Sequence, residues 1–294
     1  MGSQPGVTPI LSHRSLDCLW YDPFALLYRT ATLAEKIDLG PKTFVLRLTG
    51  ADFLLRATPG QFVMLRCSVW GADPLLPRAF SLLKVTEDFA DILVKANGKA
   101  SSLLEDVHPG TEFQLLGPLG NRFPVPDVDC EDWLVAGGVG LAPLLMQAKF
   151  SSEEFPETTS RLFYGGRTST DLVLRSDIKK TGAKVTLVTE DGSEGEKGYV
   201  TDAVSKQLEE ALRLGEKPRI LACGPDPMLH AVSRLARRHS LTAFLSLEGE
   251  MACGIGACLV CAVPCKSKPF RYVCVDGPVF DLADMDDGYG RGST

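Results

Sequence analysis

Cys253, Cys258, Cys261 and Cys274 stand at C-x4-C-x2-C-x12-C near the carboxyl end of the chain. A crowded trio of thiols with a fourth arriving from further along matches the plant-type spacing that holds a [2Fe–2S] centre. Gly254 and Gly256 fall between the first two cysteines. A loop around such a centre must turn tightly and aim N–H groups at sulfur, and glycine does both without a Cβ clash. Zinc is the competing metal, but its sites usually show two close pairs of ligands. Disulfides suit a secreted chain, and no basic segment followed by an apolar core opens this one. Cys265 could replace Cys274 as fourth ligand. Pro264, Lys266, Ser267 and Lys268 around it read as an exposed hairpin tip, so it is taken as a bystander.

Two further spots could read phosphate. In Arg78-Ala79-Phe80-Ser81 the guanidinium fork suits a pyrophosphate and the nearby hydroxyl could meet a ring nitrogen. In Gly98-Lys99-Ala100-Ser101 a glycine precedes a short helix whose first turn offers free N–H groups. Taken singly, Arg78 is as well a surface charge and Ser101 a helix cap; together in one domain they point to a nucleotide. Small residues recur at Gly137-Gly138-Val139-Gly140 and at Cys223-Gly224-Pro225. Gly138-x-Gly140-x-x-Pro143 departs from the dinucleotide fingerprint at its third glycine. Gly138, Gly140, Cys223 and Gly224 would let a flat nicotinamide approach the backbone, or they are merely tight strand-to-helix turns. Cys223 is read as a packed side chain, not a nucleophile.

The elements that position these groups follow from pattern. Alternating runs at 28–34, 43–48, 61–66, 79–85, 91–96 and 111–115, separated by Gly, Pro, Asn and Asp breakers, predict a six-stranded antiparallel barrel over 28–126. From 127 to 242, continuous apolar strands alternate with helices, which predicts a doubly wound parallel sheet with ligands at the strands' carboxyl ends. Residues 243–294 form a small cluster-bearing module, and 1–27 an arm without clear period. The fold class is therefore α/β plus β.

The chain has 294 residues, enough for two cored domains and a small third. Hydrophobic content of 45% with 23% charged residues is that of a soluble globular protein, and a net charge of −6 argues against nucleic-acid or anionic-membrane surfaces. The longest apolar stretch, 133–146, is broken by Gly137, Gly138, Gly140 and Pro143, so no bilayer span is expected. Nine cysteines without an export signal indicate reduced thiols or metal ligands, hence a cytoplasmic chain.

With R-x-[FY]-S in a barrel, G-G-x-G in a sheet and a late C-G-P, the chain resembles the ferredoxin–NADP reductase superfamily. Ser246-Leu247-Glu248 leading into Met251–Cys261, and Val273-Cys274-Val275-Asp276-Gly277-Pro278-Val279-Phe280, make residues 28–282 similar to the electron-transfer subunits of NAD-dependent dihydroorotate dehydrogenase. That resemblance implies FAD against Arg78, Ala79, Phe80, Ser81, Leu93, Val94, Lys95, Ala100 and Ser101. It implies NAD(H) at the sheet and [2Fe–2S] on Cys253, Cys258, Cys261 and Cys274. It also implies a separate FMN-containing catalytic subunit, two of each in a heterotetramer serving pyrimidine biosynthesis. The C-terminal glycines, Val279 and Phe280 are expected near that partner, because a one-electron relay must be close to its donor. Ala79 stands where the family tends to have Pro, and Ala100-Ser101 where it tends to have Gly-Thr. Three other readings share features: the small subunit of a ferredoxin-dependent NADH–NADP+ transhydrogenase or sulfide dehydrogenase, a flavin/iron–sulfur redox sensor without turnover, and a zinc-stapled module. The residues alone leave NAD and NADP open, Arg167 being a candidate for a 2′-phosphate.

Overall fold

The computed structural model describes residues 27–289; the expected N-terminal arm, but for Leu27, which opens the first strand, and the C-terminal glycines Gly290 and Gly292 lie outside them. Six antiparallel strands close into a barrel in the order β1-β2-β5-β4-β3-β6. They are β1 (Leu27–Gly40), β2 (Thr43–Thr49), β3 (Phe62–Cys67), β4 (Arg78–Val85), β5 (Ala90–Lys95) and β6 (Glu112–Leu119), with a single helical turn α1 (Lys99–Ser102) after β5. Closure leaves no unpaired edge. Inward residues such as Val63, Leu65, Leu82, Ile92, Val94 and Leu115 fill the interior.

Strand β3 departs from simple alternation. Phe62, Val63, Met64 and Leu65 are all buried. Val63 and Leu65 face the barrel interior, whereas Phe62 and Met64 join a core shared with Leu119, Trp133, Cys261, Val273 and Cys274. An antiparallel strand is apolar on both faces only where something covers the outside, and here the C-terminal module does.

The second half is a seven-stranded sheet. It comprises β7 (Asp132–Gly137), β8 (Ser160–Gly166), β9 (Lys184–Thr189), β10 (Glu196–Lys197), β11 (Arg219–Cys223), β12 (Ala243–Ser246) and β15 (Val279–Asp281). Their order across the sheet is β10-β9-β8-β7-β11-β12-β15, every pairing parallel except β12 with β15. Helices α2 (Leu141–Glu154), α3 (Arg175–Lys179), α4 (Val200–Arg213) and α5 (Asp226–His239) accompany these strands. Leu141, Leu144 and Leu145 of α2 pack both on Leu134 and Ala136 of β7 and on Val45, Leu83 and Leu93 of the barrel, joining the two halves.

Residues from 243 on do not form a detached unit: Ala243–Ser246 is the last parallel strand, and Val279–Asp281 returns as its antiparallel neighbour. Between them lies the cysteine loop with a two-stranded ribbon, β13 (Ala262–Val263) and β14 (Arg271–Tyr272). Two expectations change here. Val279 and Phe280 are buried inside the sheet and its core, so their side chains are closed to a partner. Cys265 is buried too, bridged through its backbone to Met285, while Lys266, Ser267 and Lys268 beside it are exposed. The tip is real, but Cys265 forms its buried base.

Candidate redox site

In the cysteine loop the thiols stand in two pairs. The Sγ atoms of Cys261 and Cys274 are 3.3 Å apart, both residues buried, and the Cys258 thiol is hydrogen-bonded to Cys253. Among the described residues no three His, Cys, Asp or Glu side chains gather round one point. A single tetrahedral ion would need all four sulfurs about one centre; two pairs suit two metal ions, each taking two thiolates. Backbone amides already face sulfur. Ile255 and Cys258 N–H donate to Cys253 Sγ at 3.4 Å each, and Gly256 N–H donates to Cys274 Sγ at 3.2 Å. Burial pushes the Cys253 thiol up, but those donors outweigh it and bring it down to about 7. Cys274, more enclosed, is pushed up to about 12 by burial and by the Cys261 thiol beside it.

Gly254 and Gly256 have φ of +74° and +77°. A Cβ on Gly256 would stand 2.9 Å from Val275 Cγ2, and one on Gly254 would stand 2.5 Å from Met64 Cγ and 3.0 Å from Leu119 Cδ1. The loop is therefore pressed against β3 and β6. Met64 is paired with Ala79 on β4 and Phe62 with Ser81, so the cysteine loop lies one strand away from Arg78–Ser81.

Asn121, which belongs to none of the sequence motifs, fastens this arrangement. Its amide nitrogen donates to the carbonyls of Asp276 (2.9 Å) and Val279 (2.7 Å), and its Oδ1 accepts the Val279 N–H (3.0 Å). The adjacent Gly120, at φ +74°, has room for no Cβ: one would lie 2.6 Å from the Gly277 carbonyl oxygen and from Pro278 Cδ. Asn and Gly in tandem are the only local signal of this contact.

The two candidate phosphate spots are linked by one ion pair, Lys99 with Asp73. Arg66 holds the loop before β4 by donating to the carbonyls of Trp70, Gly71 and Leu75. Among the described residues Arg78, exposed, donates only to the Leu76 and Pro77 carbonyls and forms no ion pair. Its charge is available to an anion. Ala79 is exposed, and Phe80 and Ser81 are half-buried. Lys99 pairs with Asp73, drawing the Gly98 turn to the loop that precedes Arg78. The Ser101 hydroxyl is engaged in its own turn, accepting the Asn97 and Gly98 N–H groups and donating to the Gly98 carbonyl. Ala100 is buried, and a Cβ on Gly98 would meet nothing within 4 Å. The turn thus offers backbone N–H groups beside open space. Leu93 and Val94 are buried, the first under α2 and the second inside the barrel, while Lys95 pairs with Asp171. Whatever these three present to a ligand, they present through backbone.

At the sheet, Gly140 and Gly224 serve packing. A Cβ on Gly140 would run into the Cys223 carbonyl, and one on Gly224 would stand 3.0 Å from the Gly137 backbone. The two strand-end turns touch backbone to backbone. Gly138 differs: its φ is +54° and a Cβ there would meet nothing within 4 Å, so it borders open space at the carboxyl end of β7. Cys223 is buried and pushed up to about 12, first by burial and then by the Glu248 carboxylate, which disqualifies it as a thiolate nucleophile at neutral pH. Arg167 sits at the carboxyl end of β8, its carbonyl accepting the Asp191 N–H at 3.2 Å.

Comparison with known proteins follows the same division. Residues 30–123 match the oxidoreductase FAD-binding domain, 134–234 the oxidoreductase NAD-binding domain, and 248–286 the iron–sulfur cluster binding domain of dihydroorotate dehydrogenase B. The dihydroorotate dehydrogenase B (NAD(+)) electron transfer subunit of Clostridium acetobutylicum is 34% identical over 254 residues, 86% of this chain and 95% of that one. The protein of the same name from Geobacillus kaustophilus is 36% identical over 260 residues, 86% and 96% of the two chains. Among solved structures, an NADH-dependent reduced ferredoxin–NADP oxidoreductase of flavin-based electron bifurcation superposes with a TM-score of 0.75 at 27% identity, covering 87% of this chain and 89% of its own.

Proposed function

The chain belongs to the family of dihydroorotate dehydrogenase B (NAD(+)) electron-transfer subunits, and from that membership we propose which of its residues carry the work. The function is electron transfer to NAD+ from dihydroorotate oxidised on a catalytic partner, a step of pyrimidine biosynthesis. FAD, [2Fe–2S] and NAD(H) are the cofactors, and flavin alone among them exchanges electrons both singly and in pairs.

Each group of residues fits one of them. Cys253, Cys258, Cys261 and Cys274 hold the cluster, two thiolates to each iron, with the Gly256 N–H stabilising charge on sulfur. Arg78 meets the FAD pyrophosphate, Ala79, Phe80 and Ser81 line the flavin, and Leu93–Lys95 and Ala100-Ser101 contribute backbone. Gly138 admits the nicotinamide nucleotide, while Gly140, Cys223 and Gly224 pack the floor beneath it. The barrel over 28–126 serves FAD, 127–242 serves NAD(H), and 243–294 carries the cluster while lending two strands to the sheet. The observation that carries this reading is the seat of Gly254 on Met64, one strand from Arg78–Ser81, because single-electron exchange demands that cluster and flavin be close.

The partner is an FMN-containing catalytic subunit, two of each in a heterotetramer, working in the cytoplasm. No helix among the described residues is long and apolar enough to cross a membrane. The docking face is the apolar surround of the exposed Cys258: Ile255, Leu259, Val260, Phe270 and Val275 all stand out into solvent. Exposed apolar groups clustered about a relay centre mark an interaction surface. Ile255→Asp with Phe270→Asp should weaken binding of the catalytic subunit by about a hundredfold or more, the scale of lost interface anchors. NADH oxidation by ferricyanide should be unaffected. Undiminished co-purification would place the interface elsewhere.

Arg78→Ala should weaken FAD retention by about tenfold or more, the worth of a charge-assisted hydrogen bond; a variant purifying fully yellow would remove Arg78 from the flavin site. The overall reading is tested by visible spectrum, metal and sulfide analysis, and NAD+ reduction with dihydroorotate in the presence and absence of the catalytic subunit. Iron and acid-labile sulfide in equal amounts, flavin bands, and turnover only in the complex are expected. Zinc, or a colourless protein, would overturn it.

A further inference from the structure

The turn after β8 is fixed by one side chain. Asp171 Oδ2 accepts the N–H groups of Arg167 (3.2 Å) and Thr168 (3.3 Å), and its own carbonyl accepts the buried Tyr164 hydroxyl at 2.9 Å. Gly166 makes room for it, since a Cβ there would stand 2.8 Å from Asp171 Cβ. The turn is tied in turn to the end of β9: Glu190 and Asp191 N–H groups donate to the Gly166 and Arg167 carbonyls, and Ser169 N–H donates to Ser193 Oγ at 2.8 Å. Residues 166–171 and 190–194 therefore form one shelf at the carboxyl ends of β8 and β9, the place where an open α/β sheet receives the adenosine half of a dinucleotide.

Asp171 has a second oxygen, and it does not belong to the shelf's own network. Oδ1 pairs with Lys95 at the end of β5 in the barrel, across 76 residues of chain. Both side chains are mostly shielded, 26% and 18% exposed, so the pair is less weakened by solvent than a surface one. Here the barrel and the shelf approach each other at a further point, a Cβ on Gly40 standing 3.7 Å from the Thr170 carbonyl. Lys95 follows directly on Leu93 and Val94, which are locked into the α2 interface and the barrel interior. Its stem is thus anchored in the flavin half and its ammonium in the nucleotide half.

We propose that the Lys95–Asp171 pair is a latch that sets the nucleotide shelf in register with the flavin strand, making both side chains positioning residues for transfer between nicotinamide and flavin. This rests on the site assignment above and adds a role for Lys95 distinct from holding FAD. A nucleotide gripped on the shelf reaches the flavin only if shelf and barrel keep one spacing, and a misplacement of about an ångström can cost orders of magnitude in rate.

The test separates register from binding. NADH is oxidised to NAD+ as its hydride, with one solvent proton, reduces bound FAD, and single-turnover bleaching of the flavin reads that rate. ADP-ribose, which occupies the shelf without reaching the flavin, reports shelf integrity by calorimetry. Lys95→Met, which leaves the Asp171 turn bonds untouched, and Asp171→Asn, whose amide oxygen can still accept them, should each slow bleaching on the order of tenfold or more. ADP-ribose affinity should stay unchanged, the double variant should be no slower than the slower single, and Lys95→Arg should bleach as the parent does. ADP-ribose weakening in step with the rate, additive effects, or unchanged bleaching would overturn the latch. Loss of yellow colour from Lys95→Met would do the same, by making Lys95 a flavin ligand. A parent chain that NADH cannot bleach would overturn the site assignment itself.

Discussion

Cys258→Ser is expected to abolish NAD+ reduction coupled to dihydroorotate in the complex while NADH oxidation by ferricyanide continues. Cys258 is the exposed member of the four, hydrogen-bonded to Cys253 in one thiol pair. Serine keeps the size but not the chemistry: a thiolate is the soft ligand iron requires, and a hydroxyl stays protonated at neutral pH. The flavin half should survive, because Cys258 packs into none of the three apolar cores. Ferricyanide draws its electrons from the flavin and does not need the cluster. The variant should therefore purify yellow, with flavin bands intact, iron depleted, and only partner-linked turnover lost. Survival of both activities would mean that electrons bypass the cysteine loop. Loss of both would mean that the loop is a folding element of the flavin half and not a relay attached to it.

What the chain's local pattern conveys and what it conceals divide along physical lines. The six barrel strands are legible because each is bounded by residues that must turn, Gly40-Pro41, Pro59-Gly60 and Pro109-Gly110 among them, and because alternation identifies the inward face. The parallel strands are legible because burial on both faces leaves an unbroken apolar run. The candidate metal site is legible because an iron centre would need thiolates and a loop around it would need glycine. Hidden from view is whatever covers an outward face. Phe62 and Met64 look like surplus apolar residues on an antiparallel strand until the module is seen lying on them. Val279 and Phe280 follow the last cysteine closely enough to look like part of an exposed loop, yet register with Leu245 and Ser246 takes them into the sheet. Strand pairing over such a separation leaves no periodic trace, since only three residues take part. Cys265 fails for the same reason: its neighbours are polar, and the Met285 side that buries it comes from the tail. The glycines show the limit of reading function from residue type. Gly138 borders open space, while Gly140 is required by the Cys223-Gly224 backbone and Gly224 by that of Gly137, a distinction visible only where a Cβ is placed on each.

Asn121→Ala should disconnect the relay without touching any cofactor ligand. Three hydrogen bonds join this one side chain to residues 276 and 279, and no side chain at 121 other than an amide can donate to two carbonyls and accept an N–H at once. Truncation leaves three partly buried backbone groups unmatched. At about 1 kcal/mol each, the low end for orphaned groups because water can reach this loop, the loss is about 3 kcal/mol. That shifts the docked-to-undocked ratio of the cysteine loop by about a hundredfold. Undocking would free Val279–Asp281 from β12 and lift Gly254 from Met64, so amide exchange at Val279 and Leu247, whose N–H groups bond to Asn121 Oδ1 and the Pro278 carbonyl, should quicken by about that factor. Partner-linked NAD+ reduction should fall with it, because the thiolates no longer sit one strand from Arg78–Ser81, and ferricyanide-linked NADH oxidation should hold. Asn121→Asp supplies the decisive control. It retains an acceptor for the Val279 N–H but sets a carboxylate against the Asp276 and Val279 carbonyls, so it should be at least as damaging as alanine. An aspartate variant that behaves like the parent would show that the Val279 N–H bond alone matters, and unchanged exchange in the alanine variant would show that the module is held to the barrel by its apolar face and not by this amide.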